Sequence, residues 1–200
     1  MNEMTDVLYS LEGRTLPANH AIALWQGVAA ILTWLETAPQ AGILPLRAPG
    51  QGDDLLLPRR ARLVLRIPVS FLNSALQLPG NTLDLGGHAI TVGEAKVRPL
   101  QPSPTLHAQL VASELPESAF LEAMAKELER MGIAGKLICG KRHTLAGSAG
   151  KISGYSLVVH ELKPEASLRL QWAGLGGERR FGCGIFIPYK VIANLEGETG

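Results

Sequence analysis

Read from its apolar segments, this 200-residue chain runs through one order of elements twice, and that rhythm limits the fold more than any single motif. Residues 5–11 are short, apolar and rich in strand formers, and Gly13 ends them. Pro17-Ala18-Asn19-His20 leads into a helical stretch, 21–35, where Ile22, Trp25, Ala29 and Leu32 recur near the helical period and Asn19 stands as N-cap. Pro39 and Gly42 close that helix, 43–47 reads as a strand, and 48–54 is a polar hairpin or loop excursion. Within 61–67, Leu63, Leu65 and Ile67 alternate with Arg62, Val64 and Arg66. Pro68 opens a short helix over 69–76, Pro79-Gly80 ends it, and strands over 82–85 and 89–97 flank Gly86-Gly87.

Pro99, Pro102 and Pro104 mark a boundary, and the order then repeats. Residues 105–111 read as a strand. Pro116 and Glu117 open a helix through Met131, with Phe120, Met124, Leu128 and Met131 on one face. Strands over 136–139 and 152–162, a helix from Pro164 and a final strand over 185–189 complete the second half. Two successive β-α-β-β-α-β units are the pattern of tandem ferredoxin-like (RRM-like) domains. The expectation is therefore an α+β fold of two halves, 1–100 and 101–200, duplicated in element order and not in sequence.

Composition removes several function classes. With 46% apolar and 18% charged residues the chain has enough for a core and is not disordered. A net charge of +1 means that any basic surface must be local. Cys139 and Cys183 have no CxxC partner, which fits two core thiols in a reducing cytoplasm. No His, Cys or carboxylate set has ligand spacing, so neither metal nor cofactor is expected. Residues 1–6 lack a signal-peptide pattern, and no apolar run nears the ~20 residues that cross a bilayer. The chain reads as soluble and cytoplasmic, with no membrane partner.

Near the C-terminus lies a glycine-rich loop, with Gly174, Gly176, Gly177, Gly182 and Gly184 around Glu178-Arg179-Arg180-Phe181. Successive backbone N–H groups can form an anion-binding concavity, and Arg179 and Arg180 can fork onto phosphates or stack on bases. The plain alternative is a structural turn between helix and strand. As a dinucleotide fingerprint the loop fails, because it follows a helix and precedes a strand. A second feature is the interval between Glu129 and Glu161, which holds Lys136, Lys141, Arg142, His143 and Lys151 and no acid. It reads as an RNA-contacting segment, against the alternative of a solvated basic loop. Arg59, Arg60, Arg62 and Arg66 form another cluster that fits an RNA stem. Only 5% of residues are aromatic, so recognition is expected to rest on phosphates and hairpin shape more than on base stacking.

These features resemble the RAMP superfamily of CRISPR-associated RNA-binding proteins, and within it the repeat-processing endoribonucleases of the myxobacterial (MYXAN) type. The likeness is carried by Leu16-Pro17-Ala18-Asn19-His20 at the first helix and by Gly154-Tyr155-Ser156-Leu157. It continues in the string from Ser167-Leu168-Arg169-Leu170-Gln171 through Gly174-Leu175-Gly176-Gly177 to Gly182-Cys183-Gly184. The resemblance implies metal-independent cleavage of precursor CRISPR RNA by the 2′-hydroxyl beside the scissile phosphate, leaving 2′,3′-cyclic phosphate and 5′-hydroxyl ends. The implied partners are CRISPR repeat RNA and other subunits of a type I interference complex.

On that reading His20 is the catalytic residue, since an imidazole titrates near neutrality and can take or give the proton. The positive end of its helix favours a nearby phosphate and disfavours the imidazolium, which suits a base better than an acid. The alternative is a polar residue closing a helix end. His143, in the most basic part of the chain, is the chief competitor. His88, His107 and His160 read as structural, and Tyr9 and Tyr155 as core tyrosines or as groups that orient the 2′-hydroxyl. Two rival functions stand beside this one: a non-catalytic RAMP subunit that holds guide RNA, and a small-molecule enzyme using the ferredoxin-like cleft.

Overall fold

Two antiparallel sheets carry the chain in this computed structural model, which describes residues 3–46, 48–49, 52–147 and 150–189. In the first half come β1 (Met4–Glu12), β2 (Thr15–Pro17), α1 (His20–Ile31), β3 (Gly42–Ile43), β4 (Asp54–Leu56), β5 (Arg62–Pro68), α2 (Leu72–Ala75), β6 (Thr82–Asp84) and β7 (Ala89–Pro99). In the second come β8 (Thr105–Ala112), α3 (Glu117–Arg130), β9 (Lys136–Gly147), β10 (Gly150–His160), α4 (Pro164–Ala173) and β11 (Ile187–Pro188). The sheets run β3-β5-β1-β7-β6 and β11-β8-β10-β9, and β2 pairs with β4 in a separate ribbon. The result is a mixed α+β fold with antiparallel sheets.

Alternation along the strands builds each core. Val7, Tyr9 and Leu11 of β1 and Leu63, Leu65 and Ile67 of β5 turn one way and meet Leu24 and Val28 of α1. In the second half, Leu106 and Ala108, with Leu157 and Val159, meet the expected stripe of α3, Phe120, Met124 and Leu128. Fully burying each of the Val, Leu, Ile, Phe and Met side chains contributes roughly 1.5–3 kcal/mol.

Several elements differ from expectation. The first helix stops at Ile31: Leu32 leaves the helical region at φ −98°, ψ 71°, buries its side chain, and a 3-10 turn over Thr33–Thr37 follows. The strand expected over 43–47 shrinks to Gly42–Ile43. Leu44 N–H still donates to Val64, but Pro45 has no N–H with which to extend the ladder, and Arg47 lies outside the described residues. The last strand is likewise cut to Ile187–Pro188 at a sheet edge. Conversely, the strand expected over 136–139 runs on to Gly147 and pairs with β10 along its length, so the basic segment is an edge strand and no loop.

The halves meet through buried charge. Asp6 and Arg66, cross-strand partners that are each 1% exposed, form a bidentate pair at 2.7 and 3.1 Å, and Arg98 donates to the same carboxylate at 2.9 Å. Arg66 also donates across the boundary to the carbonyls of Phe186 (2.6 Å) and Gln171 (3.3 Å). Arg179 reaches the other way, from the glycine loop to the carbonyl of Gln40 at 2.6 Å, and shares the Gln171 carbonyl. Burial and then the neighbouring Arg66 cation disfavour the charge on Arg179, and Asp6 opposes them. Both arginines were expected on an RNA-binding surface. The structure corrects this: both guanidinium groups are buried where the two halves join and bond to carbonyls there.

Candidate functional site

Where the halves face one another, His20 and His143 line two adjoining cavities of about 190 and 420 Å³. His20 is the first residue of α1, behind Asn19, which holds the N-cap position through its backbone carbonyl and makes no side-chain cap bond. The first turn of α1 carries no acid, so the positive end of the helix dipole is uncompensated there. The His20 ring lies between two carbonyl oxygens: Nδ1 is 3.2 Å from that of Pro17 and Nε2 is 3.0 Å from that of Leu46.

His143 arrives from the other half by way of a bulge. Leu137 and Cys139 of β9 face the helix-covered core, and strict alternation would turn His143 that way too. Between the pairs Leu157↔Cys139 and Tyr155↔Arg142, however, β10 advances two residues and β9 three. The extra residue puts Arg142 beside Tyr155 on the core side and sends His143 to the opposite face, the face of Ser156. Gly140 permits the step, since a Cβ there would run into Ser156 Oγ. The neighbouring strand β8 makes the same three-for-two step against β10, and its His107 and Gln109 join His20, His143 and Ser156 around the larger cavity. Sequence reading set His107 aside as structural. The signal that finds it is alternation within its own strand: Leu106 and Ala108 turn into the core, so His107 between them lies on the open face, opposite Val158.

The basic residues divide. Lys141, Arg142, His143 and Lys151 are exposed on the β9–β10 hairpin. Arg142 lies 5.4 Å over the Tyr155 ring and reaches Glu114 at 3.4 Å, and Lys136 pairs with Glu161 at 2.7 Å. The acids missing from the local sequence are thus supplied from elsewhere in the fold. Among the described residues, no carboxylate lies within ion-pair distance of Lys141 or Lys151. Arg59, Arg60 and Arg62 are exposed, unlike Arg66.

The glycine loop also divides. Gly174 (φ 70°) ends α4, and a Cβ there would meet the Arg179 guanidinium and the Gly184 carbonyl. At Gly182 (φ 91°) a Cβ would press on the Ile43 carbonyl and Pro45 of the first half. Gly174, Gly182 and Gly184 are buried, whereas Gly176, Gly177 and Arg180 face solvent, Arg180 stacking on Phe181 and pairing with Glu178. Cys183 lies at the edge of the smaller cavity, and burial, then the Glu178 charge, pushes its thiol up to about 12.

The remaining candidates serve the scaffold. Tyr9 and Tyr155 are buried, with hydroxyls donated to the carbonyls of Ala75 and Leu115. His88 ties the β2–β4 ribbon to the β6–β7 turn through Thr15 (2.8 Å) and Asp54 (3.2 Å). No helix among the described residues is long and apolar enough to cross a membrane.

Comparison with known proteins places this geometry among relatives. Residues 5–191 match the family model described as Cas6 Crispr. Over 193 residues the chain is 32% identical to the CRISPR-associated endonuclease Cas6 of Myxococcus xanthus (strain DK1622), covering 96% of this chain and 84% of that one. Among solved structures it is similar to a CRISPR associated protein Cas6 (TM-score 0.67, 11% identity, 94% of this chain and 100% of that one). It is also similar to a RAMP protein binding different RNA substrates (TM-score 0.66, 12% identity, 93% and 100%).

Proposed function

Because the chain belongs to the Cas6 family, we propose that it is an endoribonuclease that binds CRISPR repeat RNA and cleaves the precursor into its units without a metal. The 2′-hydroxyl beside the scissile phosphate attacks phosphorus, and the products carry 2′,3′-cyclic phosphate and 5′-hydroxyl ends. The observation that carries this reading is the meeting of His20 with the basic hairpin: an imidazole at a cavity wall faces His143, whose strand also carries the exposed Lys141. Cations beside a phosphate stabilise the charge that grows on it during attack, and the imidazole moves the proton. Lys151 extends the cationic edge along β10, and Gly176, Gly177 and Arg180 offer a second exposed contact for the ribose-phosphate chain.

At the level of fold, the reading is two ferredoxin-like halves, 1–100 and 101–200. The strand orders support it: counted within its half, each first strand lies between the third and fourth major strands, and the second lies beyond the third. The enzyme works in the cytoplasm, with repeat RNA as its partner and other subunits of a type I interference complex as further ones.

The test is end-labelled repeat RNA incubated with the protein in EDTA. Cleavage at one position per repeat is expected, with a cyclic phosphate on the upstream product, and His20→Ala should lower its rate by about 10²–10⁴-fold while retaining RNA binding. No cleavage by the wild type, or full activity in His20→Ala, would falsify the assignment.

A further inference from the structure

We propose that His143 is the second catalytic residue of this site, working as general base while His20 works as general acid. The division rests on the reading of the chain as a ribonuclease that uses the 2′-hydroxyl.

The assignment of His20 follows from its two neighbours. Both ring nitrogens stand at hydrogen-bond distance from carbonyl oxygens, Pro17 at 3.2 Å and Leu46 at 3.0 Å, and a carbonyl can only accept. A neutral imidazole has one N–H and can donate to one of them; the imidazolium donates to both. In either tautomer a ring N–H donates to one of these carbonyls, so the contacts orient a proton donor at the cavity wall. This reverses the role that the helix position alone suggests.

A base must then come from another group, and His143 is the one that shares both cavities with His20. Its direction is built into the sheet: the three-for-two step between Cys139 and Arg142 turns it out of the core and onto the open face with Ser156. The ring is exposed, as a group that meets a 2′-hydroxyl must be. His107 borders the larger cavity alone, where its ring lies 5.3 Å from that of Tyr189.

The step balances with these two rings. His143 takes the proton of the 2′-hydroxyl as O2′ bonds to phosphorus, the bond from phosphorus to O5′ breaks, and His20 gives its proton to O5′. The products are the cyclic phosphate and the 5′-hydroxyl. The rings have exchanged protonation states, which water restores.

A leaving-group substitution separates the two roles. Repeat RNA is made with oxygen or with sulfur at the bridging 5′ position of the scissile linkage. A thiolate leaves without protonation, so the sulfur substrate needs a base and no acid. Single-turnover rates are measured at saturating enzyme for the wild type, His20→Ala, His143→Ala, His143→Gln and His107→Ala, with RNA binding and circular dichroism as checks on folding. A fall of about 10²–10⁴-fold on the oxygen substrate is expected for His20→Ala, with the sulfur substrate cleaved within about tenfold of the wild-type rate. His143→Ala and His143→Gln should fall by a comparable factor on both substrates. Rescue of the His143 variants by sulfur, wild-type rates in those variants, or an unrescued fall confined to His107→Ala would each overturn the assignment. A wild type that binds both RNAs and cleaves neither would instead remove the ribonuclease reading, and this proposal with it.

Discussion

Arg66 and Arg179 on one side, and Lys141 and Lys151 on the other, carry the same charge in opposite environments. The two arginines are 1% and 8% exposed, and their guanidinium groups are engaged by the Asp6 carboxylate and by backbone carbonyls from both halves. The two lysines stand on the β9–β10 hairpin with no carboxylate at ion-pair distance among the described residues. A buried cation is held by the groups that face it: Arg66 is engaged through all three guanidinium nitrogens and Arg179 through Nε and Nη2, so the two tie the halves together and thereby shape the cavities between them. A solvated ammonium makes no such demand and stays available to a polyanion. Charge by itself therefore says little about function here; what matters is whether the fold has already supplied its counterpart.

Four experiments strain that contrast, in decreasing order of effect. Asp6→Asn strips the carboxylate from two arginines, one of them buried, and should cost about 3–5 kcal/mol of stability in urea unfolding. An unchanged midpoint would mean that the buried network holds nothing. Gly174→Ala forces a side chain into φ 70° and against the Arg179 guanidinium, at a cost of about 1–3 kcal/mol. Gly177→Ala, whose Cβ would meet open space, should leave the midpoint in place. Replacing Lys141 and Lys151 together with Ala should leave thermal unfolding unchanged but weaken repeat RNA binding. The slope of log affinity against log salt should fall by about 0.7–0.9 for each phosphate that is no longer neutralised. A lowered melting temperature with an unchanged slope would assign these lysines to the scaffold. The smallest effect concerns Cys183. Its thiol is pushed up to about 12, and the thiolate is the nucleophile, so iodoacetamide at about pH 8 should spare it in the folded protein and label it after unfolding.

Much of the scaffold could be read from local pattern. The alternation of Leu63, Leu65 and Ile67 forecast β5, and the spacing of Phe120, Met124 and Leu128 forecast the buried face of α3. His20 was legible as a candidate because Asn19 and the following apolar period fix a helix start at that point. The lengths of β3 and β11 were not, because how far each short edge strand pairs depends on the neighbour strand that it meets. Arg62 and Arg66 share a strand face and looked alike in sequence, yet only Arg66 lies under the second half.

The order of elements, the apolar faces and the family are written along the chain, since each depends on residues near one another in sequence or on motifs that travel as units. Tertiary structure alone decided which cations are spent inside, which glycines are filled spaces, and which histidines share a cavity. The His143 direction depends on one extra residue opposite β10, and the fate of Arg179 on a carbonyl 139 positions away. Both are facts of strand register and of distant packing, and a strand's own alternation holds no record of either.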